Sequence, residues 1–176
     1  MTSLTTELGY LTPIERSICL WGPPGAGKTT LAPRLAAELG LPHVDLDAEV
    51  ERRSGASPAE LIRGQGEQAF REAELEALRS VLEHGPRCVV ALGGGALLSP
   101  TARALAHRRG LVVGLEVATA TLESRLAGAG IARPLLESGL GPLLAKRTRA
   151  YRVAAHLALP AEVAPERAAF VEPLAA

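Results

Sequence analysis

The strongest constraint on the fold is the segment Gly22–Thr30, which reads GPPGAGKTT and completes a G-x-x-x-x-G-K-[ST] motif. It lies between the apolar run Ile18–Trp21 and a helix-like stretch rich in leucine and alanine. Glycines allow such a loop to curl with its N–H groups pointing inward, and the following helix directs its positive end at bound phosphates. Because strand, loop and helix occur in the order that this motif requires, we predict a site for a nucleoside triphosphate rather than a turn that binds nothing.

The motif also predicts which residues contact the nucleotide. Lys28 is expected to reach the β- and γ-phosphates, and the Thr29 hydroxyl is expected to ligate Mg²⁺. The whole predicted phosphate-binding set is Gly25, Ala26, Gly27, Lys28, Thr29 and Thr30. The loop therefore predicts a phosphate ligand, but it leaves the reaction open.

The composition favours one globular domain without membrane or nucleic-acid partners. At 176 residues the chain suits a single domain, which we place at residues 17–176, behind an N-terminal extension at residues 1–16. No apolar stretch approaches the roughly 20 residues that cross a bilayer, and no signal-peptide pattern opens the chain. A net charge of zero and 3% aromatic residues argue against nucleic-acid binding. Cys19 and Cys88 lie in apolar runs, so we expect buried reduced thiols in a cytoplasmic protein, and we expect a monomer.

Short apolar runs alternate with helix-like stretches along the chain. The predicted strands are Ser17–Trp21, Pro42–Asp45, Arg87–Leu92, Leu111–Val117 and His156–Leu159. The predicted helices, each ending near a glycine, include Thr29–Leu39, Pro58–Glu83 and Pro100–Arg109. This alternation predicts an α/β fold, a three-layer αβα domain with a five-stranded parallel sheet. Ligands of such sheets bind beyond the carboxyl ends of the strands, so residues there are candidates for the site.

Asp45 and Asp47 follow the second predicted strand, in the sequence HVDLDAEV. Strand alternation would place both carboxylates on the same side. In a phosphoryl-transfer site one carboxylate can help to hold Mg²⁺, while another accepts a proton from the attacking hydroxyl. The alternative is that one of them caps a helix that begins near Ala48. Their position at a strand end near the phosphate loop favours the functional interpretation.

Arg71 lies on the second long helix, in line with three inward-facing leucines. Glu67 precedes it by four residues and Glu74 follows it by three, so both carboxylates can brace the guanidinium. Such bracing suits bidentate binding of a substrate carboxylate. Without the leucine stripe, an exposed helix salt bridge would be the preferred interpretation.

Two segments after Arg71 are candidate loops of the site. Gly93–Gly95 follow the third predicted strand, where residues without side chains let backbone approach a small ligand, and a plain turn is the alternative. Residues 127–138 form a predicted mobile lid, whose closure would exclude water and bring Arg133 to the transferred phosphoryl group. A mobile surface loop is the alternative there. In the basic run Lys146–Arg152, at most one or two side chains should touch a ligand.

Taken together, the motifs resemble the shikimate kinase family, in the nucleoside-monophosphate-kinase-like group of P-loop proteins. The matching segments, within Ser17–Leu159, are GPPGAGKT, the DLD triplet, Phe70-Arg71-x-x-Glu74, Leu92–Gly95, the lid sequence RPLL and Arg147-x-x-x-Tyr151. Each segment alone is modest evidence, whereas the ordered set is specific.

The resemblance implies transfer of the γ-phosphoryl group of ATP to the 3-hydroxyl of shikimate, giving shikimate 3-phosphate and ADP for aromatic amino acid biosynthesis. It implies that Lys28, Asp47 and Arg133 carry the catalysis, with Asp47 as the base, and that Thr29 and Asp45 hold Mg²⁺. The implied acceptor-binding set is Asp47, Arg71, Gly93, Gly94, Gly95 and Arg147. ATP would also be contacted by Arg133 and, near the adenine, by Arg125.

Two other functions fit parts of the pattern. Domains similar to shikimate kinase can serve as ligand-sensing modules of regulators, which recognise a small acid without turnover. A kinase for another hydroxy acid, such as gluconate, would use the same phosphate loop. The pair Arg71 and Arg147 suits a cyclic carboxylate better than an open-chain polyol, and the chain shows no helix-turn-helix segment.

Overall fold

The computed structural model describes residues 16–128 and 140–160. Within them lies a five-stranded parallel sheet in the order β2-β3-β1-β4-β5. The strands are β1 (Ser17–Trp21), β2 (His43–Asp45), β3 (Val89–Ala91), β4 (Gly110–Glu116) and β5 (Leu157–Pro160). The α-helices are α1 (Lys28–Leu39), α2 (Leu46–Ser54), α3 (Pro58–Arg79), α4 (Pro100–Arg109), α5 (Thr119–Gly128) and α6 (Leu140–Ala154).

The central strand β1 is buried along its whole length and separates two hydrophobic cores. Strand alternation sends Cys19 and Trp21 into the core shared with α3 and α4, and Ile18 and Leu20 into the core shared with α1. Helices therefore cover both faces of the sheet, which confirms the predicted three-layer αβα fold with its five parallel strands. Both cysteines are buried free thiols, and burial beside Cys88 raises the pKa of Cys19 to about 12.

Strand β2 ends at Asp45, as predicted, and α2 begins at Leu46, so strand alternation does not extend to Asp47. Asp45 is the N-cap of α2, and its side chain accepts hydrogen bonds from the backbone N–H groups of Asp47 and Ala48. Because the helix begins at Leu46, Asp47 lies in its first turn and not on a strand. The prediction that alternation along a strand places the two carboxylates together is therefore wrong, although both side chains stay at the carboxyl end of the sheet.

The long second helix differs from the predicted continuous segment Pro58–Glu83. It begins with a capping box between Ser57 and Glu60. It is broken at Gly66, whose φ of 89° is non-helical and disfavoured for residues with a side chain. Beyond Arg79 the last turn widens into a π-helical segment, Ser80–His84. The half after Gly66 is the one that carries the candidate site residues of this helix.

Two histidines pack at the amino end of the sheet, opposite the phosphate loop. The rings of His107 and His156 lie 4.4 Å apart between centroids. His156 accepts a hydrogen bond of 2.9 Å at Nδ1 from the Val112 N–H, and His107 donates from Nε2 to the Ala154 carbonyl at 2.7 Å. Partial burial and the neighbouring His107 and Arg16 lower the pKa of His156.

This histidine pair should make stability depend on pH. Because the pKa of His156 is lower in the folded chain than its ordinary value of 6.5, the unfolded chain takes up the proton first as the pH falls. The stabilisation is therefore complete above about pH 6.5 and is lost as the pH falls below it. Urea unfolding should show that the free energy of unfolding falls between pH 7.5 and pH 5.5, and that it falls less in His156→Gln than in the wild type. The amide oxygen of the glutamine can still accept the hydrogen bond from the Val112 N–H. An equal loss in both proteins would contradict this account.

Candidate active site at the carboxyl end of the sheet

The phosphate loop connects β1 to α1 and is closed by its own lysine. Lys28 Nζ donates to the carbonyl oxygens of Gly22 and Pro23, each at 2.9 Å. Gly27 caps α1 in the left-handed conformation, and the N–H groups of Thr30 and Leu31 bond back to its carbonyl. The amino end of α1 thus faces the space enclosed by the loop, which is the arrangement that favours an anion.

Arg125 lies against this loop from the side of α5. Its Nη1 donates to the Gly25 carbonyl at 3.2 Å, across 100 residues of sequence. The same guanidinium stands 3.9 Å from the point where a Cβ of Gly27 would lie. The structure thus brings the predicted nucleotide contact Arg125 to the edge of the phosphate loop.

Thr29 and Asp45 form the pair of oxygen donors nearest the loop. The Thr29 hydroxyl donates to Asp45 Oδ2 at 2.9 Å, while Asp45 Oδ1 caps α2. The capping and functional interpretations of Asp45 are therefore compatible, because each uses a different oxygen. A hydroxyl and a carboxylate are ligands that suit Mg²⁺. In the part of the chain that the structure describes, no group of three or more His, Cys, Asp or Glu could hold a metal ion, so phosphate and water oxygens would have to complete the coordination.

Arg71 is held by two carboxylates, as its spacing predicts. Its Nη1 lies 2.6 Å from Glu74 Oε2 and its Nη2 lies 3.0 Å from Glu67 Oε1. The Arg71 side chain is 19% exposed and that of Glu74 only 3%, so this is not the exposed salt bridge of the alternative interpretation. Burial raises the pKa of Glu74, and the positive charge of Arg71 opposes this increase. The negative charge of Asp47 raises the same pKa further, and the positive charge of Arg147 lowers it. Arg71, Glu67 and Glu74 thus form a charged cluster, and Asp47 and Arg147 lie near enough to act electrostatically on its buried carboxyl group.

The glycine turn after β3, Gly93–Gly95, lies so close to this charged cluster that side chains on it would collide with the charged groups. A Cβ at Gly93 would meet a carboxylate oxygen of Glu74 and, at 3.1 Å, Asp47 Oδ1. A Cβ at Gly95 would stand 2.5 Å from Arg71 Nη2. Real Cβ atoms do not approach other atoms so closely, so a side chain at Gly93 or Gly95 would have to displace the Glu74 carboxylate or the Arg71 guanidinium.

Helix α6 closes the site with Arg147, which the sequence predicts as an acceptor-binding residue, and with Tyr151, to which sequence reasoning gave no role. The Tyr151 hydroxyl donates to the Gly94 carbonyl at 2.8 Å, and its ring packs edge-on against the buried Trp21 with centroids 4.9 Å apart. The positive charge of Arg147, one turn earlier on α6, lowers the pKa of both Tyr151 and Glu74, against the larger effect of burial. The four-residue spacing of Arg147 and Tyr151 predicts a shared helix face, but not what that face contacts.

Some predicted site residues cannot be placed. Arg133 and the lid at residues 127–138 lie outside the described residues, except for the end of α5, and so do residues 1–15. The structure brings together Lys28, Thr29, Asp45 and Arg125 around the phosphate loop, and Asp47, Arg71, Gly93–Gly95 and Arg147 beside it. None of the described helices combines the length and the hydrophobicity that a membrane span requires.

Comparison with known proteins finds a matching family model, similar sequences and similar solved structures. A family model described as shikimate kinase matches residues 24–174. A shikimate kinase of Thermobifida fusca is 44% identical over 156 residues, with 85% of this chain and 88% of the relative covered. One of Salinibacter ruber is 40% identical over 145 residues, with 82% and 71% covered. The solved structure of shikimate kinase from Acinetobacter baumannii in complex with shikimate superposes with a TM-score of 0.78, at 33% identity, over 85% of this chain and 89% of that chain.

Proposed function

The chain belongs to the shikimate kinase family, and from that premise we propose that it transfers the γ-phosphoryl group of ATP to the 3-hydroxyl of shikimate. The products are shikimate 3-phosphate and ADP. One observation carries the proposal: the glycine turn joins the phosphate loop to the charged cluster. Gly94 packs against Pro24 of that loop, and its neighbours Gly93 and Gly95 pack against Glu74 and Arg71.

The acceptor is held by charge and by backbone. Arg71 is fixed by Glu67 and Glu74, so its guanidinium is already oriented before a ligand arrives. Together with Arg147 it would bind the carboxylate of shikimate, since a guanidinium presents paired donors to a planar anion. Gly93, Gly94 and Gly95 would contact the ring hydroxyls through their backbone.

The donor is held by the phosphate loop. Residues 25–30 of the loop and the ammonium of Lys28 would bind the phosphates. Arg125 would contact the nucleotide beyond them, and Arg133 would reach the transferred group when residues 127–138 close as a lid. Thr29 and Asp45 would hold Mg²⁺, which, when bound, neutralises charge on the β- and γ-phosphates.

Asp47 would act as the base of the reaction. Its carboxylate accepts the proton of the 3-hydroxyl while that oxygen bonds to the γ-phosphorus and the bond from phosphorus to the bridging β-oxygen breaks, which leaves ADP. Nearby Glu74 is buried and its pKa is raised, so Asp47 is the more exposed of the two carboxylates beside Gly93. Lys28 and Arg133 would stabilise the charge that develops on the phosphoryl oxygens.

A coupled assay of ADP release with Mg-ATP tests which acceptor molecule the enzyme phosphorylates. We expect turnover with shikimate and much less with quinate, which lacks the ring double bond conjugated with the carboxylate, or with gluconate, which lacks the ring. Turnover on gluconate alone would support the kinase of another hydroxy acid. Tight shikimate binding without any turnover would support a ligand-sensing module.

A single methyl group at Gly95 should weaken acceptor binding. The backbone of Gly95, at φ −116° and ψ 0°, does not require a glycine, and the atoms nearest to an added Cβ all belong to the Arg71 guanidinium, which Gly95→Ala would therefore displace. We expect the KM for shikimate to rise about tenfold or more, with the KM for ATP unchanged. Gly64→Ala is the matched control, since nothing lies within 4 Å of a Cβ there. Equal kinetics for the two variants would contradict the role of Arg71.

A further inference from the structure

Tyr151 occupies a position where three parts of the proposed site meet. It lies on α6, one turn after Arg147, and its hydroxyl donates to the Gly94 carbonyl at 2.8 Å. The positive charge of Arg147 lowers the pKa of this hydroxyl, against the larger effect of burial. The phenol oxygen therefore connects α6 to the middle of the glycine turn.

The Tyr151 ring is itself fixed by the core. It packs edge-on against Trp21, at an interplanar angle of 61°, and Trp21 is fully buried at the end of β1. Burial raises the pKa of Tyr151, against the opposing effect of Arg147, so the hydroxyl keeps its proton at neutral pH. It can therefore donate to a carbonyl throughout the working range of the enzyme.

The bond to Gly94 fixes the orientation of a peptide plane. The Gly94 carbonyl and the Gly95 N–H belong to one planar trans peptide, in which they point in opposite directions. A donor on the carbonyl therefore determines where the Gly95 N–H points and where the Gly95 Cα lies against Arg71. On its other side Gly94 rests against Pro24, with 3.2 Å between the proline Cδ and the position of a Cβ. The turn is thus held between α6 and the phosphate loop.

We infer that Tyr151 is a positioning residue of the acceptor site: its hydroxyl holds the Gly94–Gly95 peptide in the orientation that receives shikimate. This rests on the proposed function for the identity of the acceptor. It does not require Tyr151 to touch the substrate. Glycines make the turn able to approach a ligand but also make it pliable, and an external hydrogen bond removes that freedom.

Tyr151→Phe tests the inference, because it removes one oxygen and keeps the ring that packs on Trp21. The matched control is Thr148→Val, which removes a hydroxyl from the same helix where it bonds only to the Leu144 carbonyl within α6. We expect the KM for shikimate to rise about tenfold in Tyr151→Phe, the effect of one lost hydrogen bond. The KM for ATP and the kinetics of Thr148→Val should stay within about twofold of the wild type.

Amide hydrogen exchange provides a readout that needs no substrate. Peptides that cover residues 92–98 should exchange faster in Tyr151→Phe than in the wild type and in Thr148→Val, while peptides of β1 and α1 should not change. Faster exchange everywhere would mean a general loss of stability and would overturn a local positioning role. Unchanged exchange at residues 92–98, or equal rises of both KM values, would overturn it too. If the wild type phosphorylates no shikimate, the proposed function fails, and the exchange result still decides whether Tyr151 orders the turn.

Discussion

Asp47→Ala should lower kcat for shikimate phosphorylation about 10³-fold, the contribution expected of a positioned general base. The structure strengthens this expectation, because Asp45 and not Asp47 caps α2. The substitution therefore leaves the cap intact and removes a negative charge that acts on the buried Glu74. Thermal unfolding should change little, and ATP binding, measured by calorimetry, should stay within about twofold of the wild type.

Two further variants separate the role of the charge from the role of the helix. Asp47→Asn keeps the shape and the hydrogen-bonding capacity of the side chain, so an equally large loss of kcat would assign the effect to the lost base. Glu51→Ala removes an exposed carboxylate from the same helix and should have wild-type kinetics. If Asp47→Ala lost ATP binding and stability as much as turnover, Asp47 would be a structural residue of α2 and its catalytic role would be wrong.

Lys28→Met should also lower kcat about 10³-fold, since a preorganised cation is removed from the phosphates. Lys28 Nζ lies at the phosphate loop, where it donates to the Gly22 and Pro23 carbonyls, so its ammonium would bind the nucleotide as well as stabilise the transferred group. Weaker ATP binding is therefore expected together with the loss of turnover, in contrast to Asp47→Ala.

The chain provides a matched control for this experiment. Lys146 is the only other lysine in the sequence, and it is exposed on α6. Lys146→Met removes the same charge and should have kinetics close to those of the wild type. Activity of Lys28→Met within a few-fold of Lys146→Met would show that the loop binds phosphate without the lysine.

The parts of the site that depend on local spacing were predictable from the sequence. The phosphate loop follows from its motif, and the pairing of Arg71 with Glu67 and Glu74 follows from helical spacing. Strand β1 begins and ends at the predicted residues. In each case the residues that interact are close together along the chain.

The other features of the site depend on which helices, strands and loops lie next to each other in the folded chain. The hydrogen bond from Tyr151 to Gly94 spans 57 residues, and neither that bond nor the packing of Pro24 on Gly94 has a local signal. The placement of Asp47 was predicted with the wrong local structure, because a strand pattern and a helix cap compete for Asp45 and the cap prevails. The break in α3 falls at Gly66, but a glycine within a helical pattern does not by itself predict a positive φ, since helices also accommodate glycine.

The central claim is that the 3-hydroxyl of shikimate receives the γ-phosphoryl group. Phosphorus NMR of the purified chain with Mg-ATP and shikimate tests it most directly, because it identifies the product as well as the consumption of ATP. The account predicts shikimate 3-phosphate and ADP in equal amounts. ADP with inorganic phosphate alone, or a phosphate on another hydroxyl of shikimate, would contradict it.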